Sequence, residues 1–405
     1  MVPEGWEVKP LSEIAKEKIS YGIVQAGPHV PDGVPYIKSS DVRGIIEPDD
    51  LQRTSNEIHY KYRRSAVHPG DIVFSLRGNI GASAIVPPEL PEANLTQGTA
   101  RISVSERHSN RFHFYQLASA PLLNRVNALS KGSTFKEISL EELRKVRVLC
   151  PPLPEQKKIA QILSTWDQAI TATERLLENS QQRKKGLMQQ LLTGKKRLPG
   201  FEGEWESVRL DQLFAFKKGK GLSKSAVVQN GSHKCVLYGE LYTKYGEVIR
   251  EVVSRCDDQD GLVSKKGDVL LPSSTTTSGI DLANATAVIE DGILLGGDII
   301  VLRPKSQHDP IFFSHLLTHT KKHEIASRAQ GITIIHLYGS DLKDLAVKIP
   351  VCKTEQKAIS EVMTIADIGI EALSRRLACL KQEKKALMQQ LLTGKRRVNV
   401  ETEAA

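Results

Sequence analysis

Cysteine is scarce in this 405-residue chain: Cys150, Cys235, Cys256, Cys352 and Cys379 are odd in number, widely spaced and form no Cys-x-x-Cys. That pattern excludes a disulfide framework and fits a reduced, cytoplasmic protein. Long apolar runs are missing as well. No uninterrupted apolar stretch reaches about 18 residues, and the opening MVPEGWEVKP has neither a basic start nor an apolar segment, so neither secretion nor membrane spanning is expected. Local signatures of common catalysts are also lacking: there is no Gly-x-x-x-x-Gly-Lys-Ser/Thr phosphate loop and no Gly-x-Ser-x-Gly elbow.

What the chain does contain is a repetition. LMQQLLTGK stands at 187–195 and again, letter for letter, at 387–395. Extended at the same offset, 155–197 matches 355–397 at 22 of 43 positions. Both copies begin Glu-Gln-Lys, and each carries an Asp (Asp167, Asp367) three residues before an Ile (Ile170, Ile370). Outside these segments the offset becomes 199, allowing one small insertion or deletion. Gly5-Trp6-Glu7 with Val8 and Leu11 returns as Glu204-Trp205-Glu206 with Val208 and Leu210, and Gly132 with Leu143 falls against Gly331 with Leu342. More loosely, Gly70-Asp71-Ile72-Val73 returns as Gly267-Asp268-Val269-Leu270. A period near 200 is too long for a solenoid unit and indicates duplicated domains. With 40% hydrophobic and 25% charged residues, the chain has apolar material for about two to four domain-sized cores.

The net charge of +9 is carried by the repeats. Residues 155–197 hold nine Lys or Arg against four acids, and 355–397 hold nine against five, which accounts for the whole excess. The remaining regions are balanced, so binding a polyanion there requires sorting charges onto one face.

Within the repeats the spacing is that of a coiled-coil seam. Steps of four and three from Ile159 meet Leu163, Trp166, Ile170, Thr173, Leu177, Ser180, Lys184, Leu187 and Leu191; from Ile359 they meet Met363, Ala366, Ile370, Leu373, Leu377, Leu380, Lys384, Leu387 and Leu391. Gly194 and Gly394 stand where a C-terminal cap belongs, each followed by basic residues that suit the helix dipole. The matching seams predict two long helices packed antiparallel through Leu163, Trp166, Ile170, Leu177, Leu187, Leu191, Met363, Ile370, Leu377, Leu387 and Leu391. Lys184 and Lys384 in the seam are costly unless they snorkel out or meet acceptors.

The expected architecture is two similar mixed α/β domains joined by two long antiparallel coiled-coil helices, a pseudo-twofold internal repeat. Boundaries are expected at 1–147 (first head), 148–197 (central helix), 198–347 (second head), 348–397 (C-terminal helix) and 398–405 (tail). Short apolar runs in the heads, such as those at 71–75, 100–104, 268–271 and 298–302, read as strands bounded by turn residues. Each head is expected to close with one helical stretch, 112–129 and 312–329. Small polar loops lie between the strands, at 38–43, 75–81 and 273–279, with Lys217-Lys-Gly-Lys-Gly221 as a further basic stretch. Such loops offer hydroxyls, backbone N–H groups and, at Arg77, a fork suited to phosphate or a guanine edge. The candidate DNA contacts are Lys38, Ser39, Arg43, Arg77 and Asn79 in the first head, and Lys218, Lys220, Ser274, Thr275 and Thr276 in the second. Thr134, Lys136, Thr333 and His336, where each head meets its helix, are further candidate DNA contacts, to the backbone.

His315, His319 and His323 share one helix face at i, i+4 and i+8, a spacing that could present imidazoles to a metal. At offset 199 the first half has Gln116, Ala120 and Asn124, and no Glu adjoins the His-x-x-x-His, so the expectation is a solvated helix face and no metal.

Head, Gly turn, Leu-rich approach, Pro-x-x-Glu-Gln, long helix and Leu-Leu-Thr-Gly-Lys, all repeated, resembles the specificity subunit of Type I DNA restriction-modification enzymes. The carriers are Gly132-Ser-Thr-Phe-Lys-Glu-Ile-Ser with Pro151-Pro-Leu-Pro-Glu-Gln156, and Gly331-Ile-Thr-Ile-Ile-His with Pro350 and Glu355-Gln356. Pro350-Val-Cys-Lys-Thr-Glu-Gln departs by lacking the double proline. The resemblance implies two target-recognition domains, each reading half of a split double-stranded DNA sequence. It also implies a helical spacer that docks two modification (methyltransferase) subunits, with restriction/translocase subunits completing the complex. No catalytic residue or cofactor is then expected in this chain; S-adenosylmethionine, ATP and Mg²⁺ would belong to the partners. The competing reading is a two-headed protein scaffold that does not bind DNA. An orphan nuclease or methyltransferase would need an acidic or cofactor cluster that the sequence does not display.

Overall fold

The computed structural model describes residues 2–132 and 136–400. The chain divides into two compact units, Met1–Glu174 with Arg375–Ala405, and Arg175–Ser374. Each unit holds one head, the start of the long helix that follows it, and the end of the other long helix.

The heads are built alike. In the first, a sheet runs Ser20–Tyr21, Thr99–Ile102, Ile72–Ser75, Ser83–Ile85, all antiparallel. In the second, the order is Phe214–Lys218, Ile299–Pro304, Val269–Pro272, Thr286–Val288, with Val248–Ile249 added in parallel at the edge. The central strands Ile72–Ser75 and Val269–Pro272 are buried at every residue, because helices and a second sheet cover them. That second sheet runs Gln52–Thr54, Val34–Ile37, Asn94–Leu95 in one head and Ser254–Cys256, His233–Val236, Leu294–Leu295, Leu262–Val263 in the other. A two-stranded ladder joins the start of each unit to the strand leading into its long helix: Glu7–Pro10 with Arg147–Cys150, and Trp205–Arg209 with Ala346–Pro350.

The repeated Gly-Asp pairs enter the central strands. Gly70 and Gly267 take φ of +90° and +101°, and the Asp that follows accepts from a backbone N–H three residues back, His68 N at 3.0 Å and Lys265 N at 2.8 Å. Glycine supplies the turn and Asp closes it.

The closing helices depart from expectation. Instead of one helix at 112–129, the chain forms Asn110–Leu117 and Ala120–Leu129, with Pro121 in the first turn of the second, where a missing N–H is tolerated. Its counterpart runs Pro310–His315, a π-helical turn Leu316–Thr320 and Lys322–Ser327.

The long helices span Leu153–Leu191 and Lys353–Leu391, 39 residues each. Every seam position read from the sequence is buried or half-buried, while the flanking positions are mostly exposed. In the first unit Leu163 is fully buried with Ile159, Phe112, Leu391 and Leu392, and Leu387 packs on the group. In the second, Met363 is fully buried with Ile359, Phe312, Trp205 and Leu191, joined by Leu187. Trp166, Ile170, Leu177, Ile370 and Leu377 are half-buried between these ends. Within each unit the helices are antiparallel. Glu155, Asp167 and Glu174 meet Arg397, Lys384 and Lys381 in the first, and Lys184 and Arg197 meet Asp367 and Glu355 in the second.

The repeated nonapeptide acquires its purpose here. Gly194 and Gly394 take φ of +69° and +70°, and the N–H groups of Lys196 and Arg396 donate back to the carbonyls of Gln190 and Gln390, closing the helix end around a left-handed glycine. A side chain on Gly194 would come within 3.1 Å of the Trp205 ring, and one on Gly394 within 2.3 Å of Pro3. The Arg that follows then clamps the Glu of the other helix. Arg397 Nε and Nη2 donate to Glu155 at 2.7 and 2.8 Å over the Trp6 ring, and Arg197 Nε and Nη2 donate to Glu355 at 2.5 and 2.6 Å over Trp205. Thus the Glu of one repeat is held by the Arg of the other.

Candidate nucleic-acid interface

Each head has a large open cleft, formed by corresponding loops. In the first head it measures about 990 Å³ and is lined by the loop after Ser20–Tyr21 (Ile23, Val24, Ala26), the loop after Val34–Ile37 (Lys38, Ser39, Ser40), the turn Thr96–Gln97–Gly98, Arg77, and Lys136 with Glu137. In the second it measures about 1010 Å³ and takes Leu222, Ser223 and Lys224, then Leu237, Tyr238 and Gly239, then Gly297 and Asp298 from the matching loops.

In the first cleft three cations face one carboxylate, Lys38, Arg77 and Lys136 against Glu137. The Asp41 carboxylate accepts from Lys38 N at 2.8 Å and fixes the loop, while Ser39 Oγ donates to Gly98 O at 2.8 Å. Tyr36 Oη and Lys38 Nζ both donate to Gln52 Oε1, at 2.6 and 3.2 Å. With its amide oxygen turned to the guanidinium, Gln97 accepts from Arg77 Nη1 and Nη2 at 3.1 and 2.9 Å. Gly98 matters because a Cβ there would stand 2.7 Å from Ser39 Oγ and 3.1 Å from Arg77 Nε. The result is a partly exposed set of donors on a fixed frame, suited to phosphate oxygens and base edges.

The second cleft has a different charge. Lys224 and Lys244 face Glu240, Asp258 and Asp298. Glu240 takes the role of Asp41, accepting from Leu237 N at 2.9 Å, and also binds Lys244 and Ser254. Asp298 occupies the left-handed region at φ +58°, and Lys218 Nζ lies 3.6 Å from it.

Of the residues singled out from sequence, Lys38, Ser39, Arg77 and Lys136 converge on the first cleft. Arg43 and Asn79 are exposed nearby but do not line it; Arg43 Nε donates to Ser40 O at 2.9 Å. Thr134 lies outside the described residues. In the second head, Lys218 lines a smaller groove of about 230 Å³ with Ser273, Tyr338 and Lys343, while Lys220, Thr276 and Thr333 are exposed. Ser274 and Thr275 are buried and their hydroxyls engage Asp298 and Thr277, so as base or phosphate contacts they are corrected: sequence does not tell inward hydroxyls from outward ones. His336 pairs with Ser274 in a short ladder and stacks on Tyr338. Tyr36, Gln97, Lys224, Tyr238, Glu240 and Lys244 escaped the sequence reading. Their signal was positional, since Val34–Ile37 and His233–Val236 occupy equivalent places at offset 199 with little identity.

A polar node interrupts each helix pair. In the first unit Asp167 accepts from Tyr115 Oη at 2.6 Å and from Lys384, whose ammonium lies 5.2 Å from the Tyr115 ring centroid. In the second, Lys184 meets Asp367 at 2.6 Å and Glu247 at 3.5 Å, His319 meets Glu247 at 2.5 Å, and His315 lies 3.6 Å from Asp367. The seam lysines therefore meet carboxylates of this chain. His315 is fully buried, which overturns the solvated-face expectation. The helix N-caps align at offset 200, Ser109 with Asp309, so the partner of His315 is Tyr115 and not Gln116. Burial lowers the His315 imidazole to about 4. Burial works to raise Glu247, but the His319 hydrogen bond and the neighbouring charges of His315 and Lys184 hold it well below the usual carboxylate range. Glu247, His315 and His319 have metal-ligand spacing, whereas His323 stands apart from them. Lys184 already supplies a cation there.

Comparison with known proteins accounts for the duplication. The family model described as the Type I restriction modification DNA specificity domain matches twice, at residues 3–179 and 202–382. The chain is 24% identical over 417 residues to the Type I restriction enzyme MjaVIII specificity subunit of Methanocaldococcus jannaschii, covering 98% of this chain and 94% of that protein. It is 27% identical over 196 residues to the EcoBI specificity subunit of Escherichia coli, across 47% of this chain and 41% of that one. The fold is that of the Type I restriction-modification S subunit from M. genitalium, with a TM-score of 0.64 at 15% identity over 96% of this chain and 99% of the other. Two family domains, two matching heads and the paired helices place this chain in the Type I restriction-modification DNA specificity family, as a sequence-specific DNA-recognition subunit rather than a catalyst.

Proposed function

We propose that each head reads one half of a split DNA target through its cleft, with the paired helices as spacer between the half-sites. The observation that carries this is the convergence of Lys38, Ser39, Arg77 and Lys136 on one cleft, with a cleft of different charge built on the same loops in the other head. Two heads with unlike clefts suit two unlike half-sites. In the first, Arg77 is placed for a guanine edge or phosphate, and Lys38 and Lys136 for the backbone. In the second, Lys224, Lys244 and Tyr238 are the contacts, and carboxylates such as Asp258 can accept from a cytosine amino group. Residues 1–147 and 198–347 are the recognition domains, 148–197 and 348–397 the spacers, and 398–405 the tail.

The helices, 39 residues each, measure about 58 Å and exceed one turn of B-DNA, about 34 Å. Their exposed basic faces dock two modification subunits, which carry S-adenosylmethionine; restriction subunits bring ATP and Mg²⁺. Methylation within a duplex requires the adenine to leave the stack, so the heads hold DNA deformed for the partner's chemistry.

The test is to express the chain with its modification subunit and map methylated adenines. Methylation at one bipartite motif of fixed gap is expected, with variants in one cleft altering one half only. Methylation without a motif would refute the reading.

A further inference from the structure

Where the strand Arg147–Cys150 meets the first strand, the first unit gathers three donor side chains that DNA reading does not use. His108 precedes the helix Asn110–Leu117, His113 lies in its first turn, and Cys150 ends the strand; one ligating atom from each lies within 4.8 Å of the others. His113 is fully buried, Cys150 nearly so, and His108 is half-buried, open to solvent on one side. Among the described residues neither ring nitrogen of His113 has a hydrogen-bond partner. Leaving buried polar atoms unpaired is costly. Gln116 Oε1 is likewise without a donor, while its amide nitrogen donates to Leu149 O at 3.1 Å.

The duplicate serves as an internal control. Gln156 Oε1 accepts from Ser109 N and Gln356 Oε1 from Asp309 N, which aligns His108 with His308 and His113 with Phe313. Glu7 pairs with Cys150 and Glu206 with Ile349, which aligns Cys150 with Ile349. In the second unit Phe313 packs edge-on against Phe214 at 5.0 Å, and Ile349 is buried. Two of the three donors thus stand in one copy where the other places hydrocarbon. Polar atoms are unfavourable in such a position unless something binds them.

We infer that His108, His113 and Cys150 form a transition-metal site, with zinc as occupant and Glu7 as the fourth donor. Two imidazoles and a thiolate are a donor set that selects zinc over hard cations. Bonds of about 2.0–2.3 Å in a tetrahedron place donor atoms about 3.3–3.8 Å apart, a spacing reached by closing these side chains by roughly 1–1.5 Å. Glu7 is the Cα partner of Cys150, so the two side chains share one face of the ladder. Its ion pair with Lys9 at 2.5 Å is at the surface and readily exchanged. As the metal–sulfur bond forms, Cys150 releases its thiol proton to solvent; thiolate and carboxylate then balance the dication. The metal would tie the first strand, the closing helix and the strand leading into Leu153–Leu191, fixing the first head on its helix. Glu247, His315 and His319 make a weaker candidate because Lys184 opposes a second cation there.

The experiment uses the purified full chain, first stripped with a chelator and then titrated with cobalt(II) and with zinc. One equivalent is expected to bind, with a sulfur-to-cobalt charge-transfer band and a rise in unfolding temperature. His113→Phe with Cys150→Ile, the residues of the second unit, should abolish both while far-UV circular dichroism is unchanged. Cys352→Ser and Cys379→Ser should keep the band. The reciprocal Phe313→His with Ile349→Cys should add a second equivalent beside His308. No thiolate band in the unmodified chain, or a band that survives the paired substitution, overturns the inference.

Discussion

Replacing Glu155 with alanine tests whether the Glu-Gln motif exists to hold the end of the other long helix. The buried carboxylate accepts from Arg397 Nε and Nη2 at 2.7 and 2.8 Å and from Trp6 Nε1 at 3.1 Å. Truncation strands a buried indole N–H, at a cost of about 1–3 kcal/mol. The Arg397 side chain is 46% exposed, so water replaces much of what it loses. The cost of about 3–5 kcal/mol for orphaning a fully buried partner therefore falls to about 1 kcal/mol. A total loss of about 2–4 kcal/mol is expected in urea unfolding of the full chain, with hydrogen exchange rising first around Leu391 and Leu392. A double-mutant cycle with Arg397→Ala removes the indole contribution and should leave a coupling of about 1 kcal/mol. At the duplicate, Glu355 is fully buried and the Arg197 side chain only 24% exposed, so that coupling should be larger, about 2–3 kcal/mol. Among the described residues Trp205 Nε1 has no hydrogen-bond partner, so Glu355→Ala carries no indole loss. Couplings below about 0.5 kcal/mol at both sites, or the reverse order, would refute the reasoning.

Three further outcomes follow from the geometry. Arg77→Ala should cost about 1–3 kcal/mol in binding to the target duplex, and Gly98→Ala, whose Cβ crowds Arg77 and Ser39, should weaken binding without lowering the unfolding midpoint; fluorescence anisotropy with labelled duplex reads both, and unchanged affinity would remove the cleft from the interface. The second unit should lose stability in acid. His315, facing Glu247, Asp367, Lys184, His319 and Arg250, titrates near 4 when folded against an ordinary 6.5, so the unfolded state binds more protons between those values. Stability should fall by on the order of 3 kcal/mol from pH 7 to pH 4, and the depressed Glu247 carboxyl adds loss below its ordinary 4.5; His315→Gln should flatten the pH profile of urea midpoints. Matched seven-residue helical insertions after Glu174 and Ser374 should lengthen the spacer by about 10 Å and widen the methylated motif's gap by about three base pairs, whereas an insertion in one helix alone forces the pairing to break in one unit and should abolish methylation.

The sequence by itself determined the duplication, the two long helices and their seam, and hence the family. Helix periodicity and caps are local, and an identity such as LMQQLLTGK survives because its Gly must take positive φ beside a tryptophan. Which residues partner across the helices came only with the tertiary structure. Glu155 joins Arg397 and Glu355 joins Arg197, each across the duplication, because antiparallel packing brings the end of one helix to the start of the other. Lys38, Arg77 and Lys136 were legible as polar loop residues, but their common cleft depends on strands far apart in the chain. Whether a loop hydroxyl points inward, as at Ser274 and Thr275, depends on a ladder that leaves no mark in the residue pattern. His315 was misread through an alignment one residue out, and on a helix of 3.6 residues per turn a single residue rotates the side chain by about 100°. That rotation separates a solvated face from a buried one.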